Sequence, residues 1–191
     1  MTQTIPLFPL YTVLFPGGPL RLRIFEPRYL DMISRCMRES SPFGVALIVD
    51  GKEVGPAKTV ALGTTARILD FERMNDGLLG ISARGEQRFR IQSVSVQADG
   101  LNLAEVEMLG ERSAEVPEDL AGLSELIGQL YPRVSLLYDE VVPRLDDAGW
   151  VSARLAELLP IELSVRQVCL EQDDPVERLR YLASLIKAAE G

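Results

Sequence analysis

Hydrophobic and polar positions in this chain follow two successive rhythms, strand-like up to Met108 and helical from Leu120 onward. Ile5–Leu10 is apolar but interrupted by Pro6 and Pro9, which predicts a short edge strand, because proline cannot donate to a ladder. Phe15-Pro16-Gly17-Gly18-Pro19 predicts a tight turn. Leu20–Phe25 then alternates apolar and basic residues, the mark of a strand with one buried face. Glu26-Pro27-Arg28-Tyr29-Leu30 opens a helix with proline in the first turn, and Tyr29, Leu30, Ile33, Cys36 and Met37 form its apolar stripe. Gly44–Val49 predicts a buried strand, Asp50–Pro56 a polar loop and Leu62–Glu72 a long strand. Asn75-Asp76-Gly77 signals a hairpin. The chain returns through Leu78–Ala83, turns again at Gly85-Glu86, and continues as strand through Arg88–Ile91, Val94, Val96 and, past Asp99-Gly100, Ala104, Val106 and Met108. Six or seven short, mostly antiparallel strands with one early helix predict a small barrel or closed sheet.

Gly110–Pro117 breaks the strand pattern and reads as a linker. Beyond it Leu120, Leu123, Leu126, Ile127 and Leu130 form a helical stripe that Pro132 should kink or end. Pro143 and Gly149 delimit a loop, and helices follow over Trp150–Leu159 and Glu162–Leu170. Asp174-Pro175-Val176-Glu177 is a capping box opening a last helix with Leu179, Leu182, Leu185 and Ile186 buried. The expected architecture is therefore α+β, with a β barrel over residues 1–110 and a helical subdomain over 111–191.

Several stretches carry a family likeness. The order strand, Pro-Gly-Gly turn, strand, Glu-Pro-Arg, helix over Ile5–Ile33 is one. Gly63-Thr64-Thr65-Ala66-Arg67-Ile68, Gly85-Glu86-Gln87-Arg88-Phe89-Arg90-Ile91 and Ala104-Glu105-Val106 are others. In the second half, Leu158-Leu159-Pro160-Ile161 and Asp174–Leu179 extend it over nearly the whole chain. Together they resemble the N-terminal substrate-binding domain of Lon proteases, in a stand-alone form. The resemblance implies a PUA-like pseudobarrel over roughly residues 3–109 followed by an α-helical bundle. It also implies a non-catalytic interaction module that binds unfolded or client polypeptides, with an adaptor role in protein quality control. An RNA-binding PUA-like protein is the alternative.

Composition narrows the chemistry. The chain has no histidine, which removes imidazole bases, Ser-His and Cys-His nucleophile systems and imidazole metal ligands. Two distant cysteines, Cys36 and Cys169, fit a reducing, cytoplasmic setting better than a disulfide framework. No apolar run approaches the roughly 20 residues of a membrane span. The N-terminal residues lack the pattern of a secretory signal. The net charge of −8 lies wholly in residues 111–191, with 16 acidic and 8 basic side chains against 12 of each before them. That balance disfavours nucleic acid, whose affinity rests on phosphate neutralisation.

Each candidate site has a plainer structural role beside it. No Gly-x4-Gly-Lys-Ser/Thr loop is present, and Gly80-Ile81-Ser82-Ala83-Arg84 misses the last glycine of a nucleophile elbow, so Ser82 reads as a strand serine. Arg84, Arg88 and Arg90 share strand parity and predict a basic stripe or, more plainly, a solvated face. Asp146-Asp147 and Asp173-Asp174 are carboxylate pairs that more often cap helices than hold metal. Phe8, Phe15, Phe25, Tyr29 and Trp150 suit a peptide surface or, more simply for most of them, the core. The turn at Phe15, Pro16 and Gly17 is expected to be exposed, rigid and apolar, beside a mixed-charge helix face of Glu26, Arg28, Asp31 and Arg35. These seven residues form the expected binding site for polypeptide clients or a protein partner, with no catalytic residue, cofactor, metal, nucleic acid or membrane.

Overall fold

The computed structural model describes residues 2–53, 57–138 and 141–190, so Val54–Pro56 of the expected Asp50–Pro56 loop lie outside the described residues. Two compact units divide the chain, Met1–Gly110 and Glu111–Gly191. The first contains β1 (Thr2–Leu10), β2 (Pro19–Ile24), α1 (Pro27–Glu39), β3 (Phe43–Gly51), β4 (Ala57–Thr59), β5 (Leu62–Arg73), β6 (Leu79–Val96) and β7 (Asn102–Met108). Strand order is β1-β7-β6-β5-β3-β4, with β2 added to β6. A parallel pairing of β1 with β3 closes the ring, and every other pairing is antiparallel. This is the expected closed sheet with one early helix.

Two local expectations need correction. β1 is the closing strand, not an edge. Its Thr2–Leu7 portion pairs with β7 and its Leu7–Leu10 portion with β3. Pro6 falls in the first portion and Pro9 in the second, so each proline has a partner strand on one side only and its missing donor is tolerated. Gly85-Glu86 is likewise not a turn. β6 runs through it unbroken, and the register passes from Thr64↔Arg88 to Ala66↔Gly85, which inserts one extra residue on β6. That bulge reverses side-chain alternation between Arg84 and Arg88. Arg84 is half-buried, Arg88 buried and Arg90 exposed, so the expected arginine stripe does not form.

The barrel core gathers the inward side chains predicted by alternation, among them Phe8, Leu20, Ile24, Ile33, Phe43, Val45 and Ile81. A second cluster holds Ile5, Leu7, Phe89, Ala104 and Val106. α1 buries Tyr29, Met32, Ile33 and Cys36, with Pro27 at its first position as the sequence suggests. The Thr64 hydroxyl donates to the Leu14 carbonyl at 2.6 Å, tying β5 to the segment before β2. At the expected hairpin, the Gly77 amide donates to the Met74 carbonyl at 2.9 Å.

The second unit contains short 3-10 turns at Glu118–Leu120 and Ser135–Leu137 and four helices: α2 (Ala121–Val134), α3 (Ala148–Leu158), α4 (Leu163–Glu171) and α5 (Pro175–Glu190). Pro132 sits in the last turn of α2, which ends two residues later. The carboxylate pairs resolve into caps. Asp147 accepts from the Trp150 amide at 3.0 Å, and Asp174 accepts from the Val176 and Glu177 amides at 2.9 and 3.2 Å. Part of the expected linker is structured, since the Val116 amide donates to the Asp146 carbonyl and the Ala148 amide to the Ala114 carbonyl. Arg154, buried on α3, pairs with Glu157 at 2.6 Å, and the Tyr138 hydroxyl donates to the same carboxylate at 2.9 Å. No helix is long and apolar enough to cross a membrane among the described residues.

Candidate functional site

The seven expected binding residues divide into three groups. Phe15 is 0% exposed, which overturns the expectation of an exposed apolar turn. The reason is local. Phe15-Pro16-Gly17-Gly18 is a type II turn, with the Gly18 amide donating to the Phe15 carbonyl at 2.9 Å and Gly17 at φ +75°. The turn is held flat against the β6 bulge, because the Gly17 amide donates to the Gly85 carbonyl at 2.8 Å and the Gly85 amide to the Gly18 carbonyl at 2.9 Å. That docking drives Phe15 inward and leaves Pro16 and Gly17 half-buried.

Glu26 and Arg28 are committed to structure. Glu26 caps α1 with its carbonyl, which accepts from the Tyr29 and Leu30 amides at 3.0 Å each. Arg28 Nε donates to Glu26 Oε2 at 3.0 Å, its Nη1 to the Gly100 carbonyl at 2.8 Å, and its guanidinium lies 4.6 Å from the Tyr29 ring centre. The pair thus clamps the start of α1 to the β6–β7 turn. Tyr29 also stacks on Phe8 with ring centres 3.9 Å apart, and burial pushes its phenol up to about 12. Asp31 is exposed and Arg35 half-buried, so only this third group keeps to an accessible helix face.

A different surface in the same unit combines exposure with concavity. On the sheet β2–β6–β5, Arg21, Ser82 and Asp70 lie in one cross-strand row and Arg23, Gly80 and Glu72 in the next. Basic side chains therefore line one border and acidic ones the other. Phe71 stands 56% exposed on β5, and Phe25 is 56% exposed just past β2. A cleft of about 490 Å³ lies over these rows. A second of about 310 Å³ runs beside β2 and the start of α1, and a third of about 280 Å³ separates the end of α1 from Arg67–Phe71. Arg21–Arg23 line both the first and second clefts, and Asp70 and Phe71 line both the first and third, so neighbouring clefts share strand residues.

These clefts suit extended, partly apolar chains better than a chemical step. Ser82 sits between Arg21 and Asp70 with no imidazole in the chain to serve it. Cys36 borders the smallest cleft, but burial pushes its thiol up, which disfavours the thiolate. Among the described residues no group of three or more His, Cys, Asp or Glu side chains is placed to hold a metal. Sequence reasoning missed this surface. Its one legible signal was Arg21 and Arg23, which alternation places outward; the exposure of Phe25 and Phe71 follows from pairing that local pattern does not encode.

Comparison with known proteins gives a consistent picture. The model for the ATP-dependent protease La (LON) substrate-binding domain matches residues 4–188. Zebrafish (Danio rerio) protein cereblon is 34% identical over 128 residues, covering 65% of this chain and 29% of cereblon. Lon protease 2 of Myxococcus xanthus is 24% identical over 193 residues, covering 96% of this chain and 23% of that protease. The matches thus span roughly a quarter of these relatives' lengths. A crystal structure of a Lon N-terminal domain protein from Xanthomonas campestris superposes with a TM-score of 0.81 at 39% identity, covering 95% of this chain and 98% of that one. The N-terminal domain of Lon protease from the Mycobacterium avium complex shares the fold, with a TM-score of 0.68 at 19% identity over 95% and 97% of the two chains.

Proposed function

Because the chain belongs to the ATP-dependent protease La (LON) substrate-binding domain family, we propose that it is a non-catalytic module that binds unfolded or client polypeptides and works in the cytoplasm as an adaptor in protein quality control. Family membership and the likeness to cereblon fit a protein-binding module. The observation that carries the finer reading is the exposure of two aromatics beside the clefts of this sheet, Phe71 at the cleft over β2, β6 and β5 and Phe25 at the cleft along β2. Exposed aromatics in a groove capture apolar segments, and mixed charge at the rim suits polypeptides better than a polyanion. Client binding is assigned to residues 1–110, with 111–191 as an adjoining helical subdomain.

The absence of histidine and of a P-loop motif in these residues, together with the structural roles of Asp147, Asp174 and Cys36, supports a non-enzymatic reading. The RNA alternative loses its best argument, since Arg88, the middle residue of the arginine stripe it needs, is buried. Titration of the chain into a permanently unfolded protein, such as reduced and carboxymethylated lactalbumin, tests the proposal. Saturable binding is expected, with none to the same protein in its native, disulfide-bonded form. Absence of binding across several unfolded proteins would contradict it.

A further inference from the structure

β2 has β6 along one edge, and among the described residues no strand pairs with the other. Four consecutive residues, Arg21, Leu22, Arg23 and Ile24, line the 310 Å³ cleft. No β6 residue borders that cleft, so it lies on the side of β2 away from β6. Across it stand Phe8, Leu10 and Tyr29, all buried and apolar in their ring or chain atoms, with Glu26, which is paired with Arg28, and Glu53 also on its lining. Only Pro19, the first residue of β2, lacks an amide donor, which leaves the rest of the strand able to pair.

An open sheet edge is a template for another strand, and proteins restrict what may use it. Here Arg21 and Arg23 point outward, Arg23 in an ion pair with Asp76, while Leu22 and Ile24 turn toward the core. Pairing β2 with β2 of a second copy would bring arginines against arginines, so the edge discriminates against self-association. A chain with carboxylates at the matching alternate positions would meet the opposite charge at Arg21 and would exchange with Asp76 for Arg23.

We propose that the open edge of β2 takes up an extended segment of a client as an added strand. Apolar side chains of that segment would enter the cleft toward Phe8, Leu10 and Tyr29, and acidic ones between them would lie beside Arg21 and Arg23. This deepens the polypeptide-binding reading above and rests on it. Main-chain hydrogen bonds would supply sequence-tolerant affinity and the alternating pattern would supply selection.

The probe is an acetylated, amidated eight-residue peptide alternating valine and glutamate, titrated into the full chain. Two further peptides carry backbone N-methyl groups on all valines or on all glutamates. In an added strand only one of these sets of amides faces β2. One methylated peptide should therefore bind about tenfold or more weakly, the equivalent of losing a few hydrogen bonds, while the other stays within about twofold of the parent. Arg21→Glu should weaken the parent peptide about tenfold and favour a valine–lysine counterpart. Two methylated peptides that bind alike, whether both tightly or both weakly, would overturn the added-strand proposal. So would an unfolded protein that binds without competition from the parent peptide, an outcome that leaves the broader reading standing. If neither peptide nor unfolded protein binds, the broader reading falls and the edge proposal with it.

Discussion

Gly85 has no room for a side chain, because a Cβ there would stand 2.2 Å from the Phe15 carbonyl oxygen. Neither backbone can yield without breaking the two hydrogen bonds that seat the Pro16-Gly17 turn on β6. Gly85→Ala should cost about 3 kcal/mol by urea denaturation, near the upper end for overpacking. Gly122→Ala, where a Cβ would meet nothing within 4 Å, should be neutral or slightly stabilising in α2. Phe15→Asp would bury a carboxylate in the same region and should abolish folding, not a binding contact. Tyr29 gives a pH-dependent test. Its phenol titrates near 12 in the folded chain against an ordinary value of 10.0. The protonated phenol's contribution is complete below about pH 10 and is lost as pH rises from there toward 12. Tyr29→Phe cannot ionise, so at pH 11 the variant should outlast the parent by about 1 kcal/mol relative to their difference at pH 7. Parallel alkaline unfolding curves for the two proteins would contradict that account.

Among the elements, α1 depends on a clamp that its own sequence only half declares. Arg28 reaches 72 residues ahead to the Gly100 carbonyl while pairing with Glu26 at the helix start. Arg28→Ala should cost about 2 kcal/mol, the worth of charged, partly buried hydrogen bonds, and should raise amide exchange in the first turn of α1 and around Gly100. The same contrast explains what was legible beforehand. β2, α1, β3 and the Asn75-Asp76-Gly77 hairpin are set by alternation, a helical stripe or a turn residue, and local sequence was enough for them. β1 and β6 were misread because a proline near a strand start and a glycine–polar pair have two structural uses each. Proline suits an edge or the one-sided half of a closing strand, and Gly85-Glu86 suits a turn or a bulge. Only pairing with β7, β3 and β5 decides between them. The expected exposure of Phe15 failed for the same reason: a Phe-Pro-Gly turn looks exposed until Gly85 is placed under it.

At the scale of the whole chain, charge and apolar exposure are divided differently. The excess of acid lies in residues 111–191, whereas the clefts beside Phe25 and Phe71 lie in the electrically neutral residues 1–110. A neutral groove with opposed charged borders can accept many chains without repelling those of either sign, as a client-binding surface requires. Both aromatics are more than half exposed, so replacing them leaves the core intact and separates binding from stability. The decisive measurement is the affinity of the Phe25→Asp, Phe71→Asp double variant for the carboxymethylated unfolded protein, taken beside its urea midpoint. A loss of tenfold or more with an unchanged midpoint is the predicted result. A folded double variant that binds the unfolded protein as tightly as the parent would contradict the assignment of client binding to these clefts.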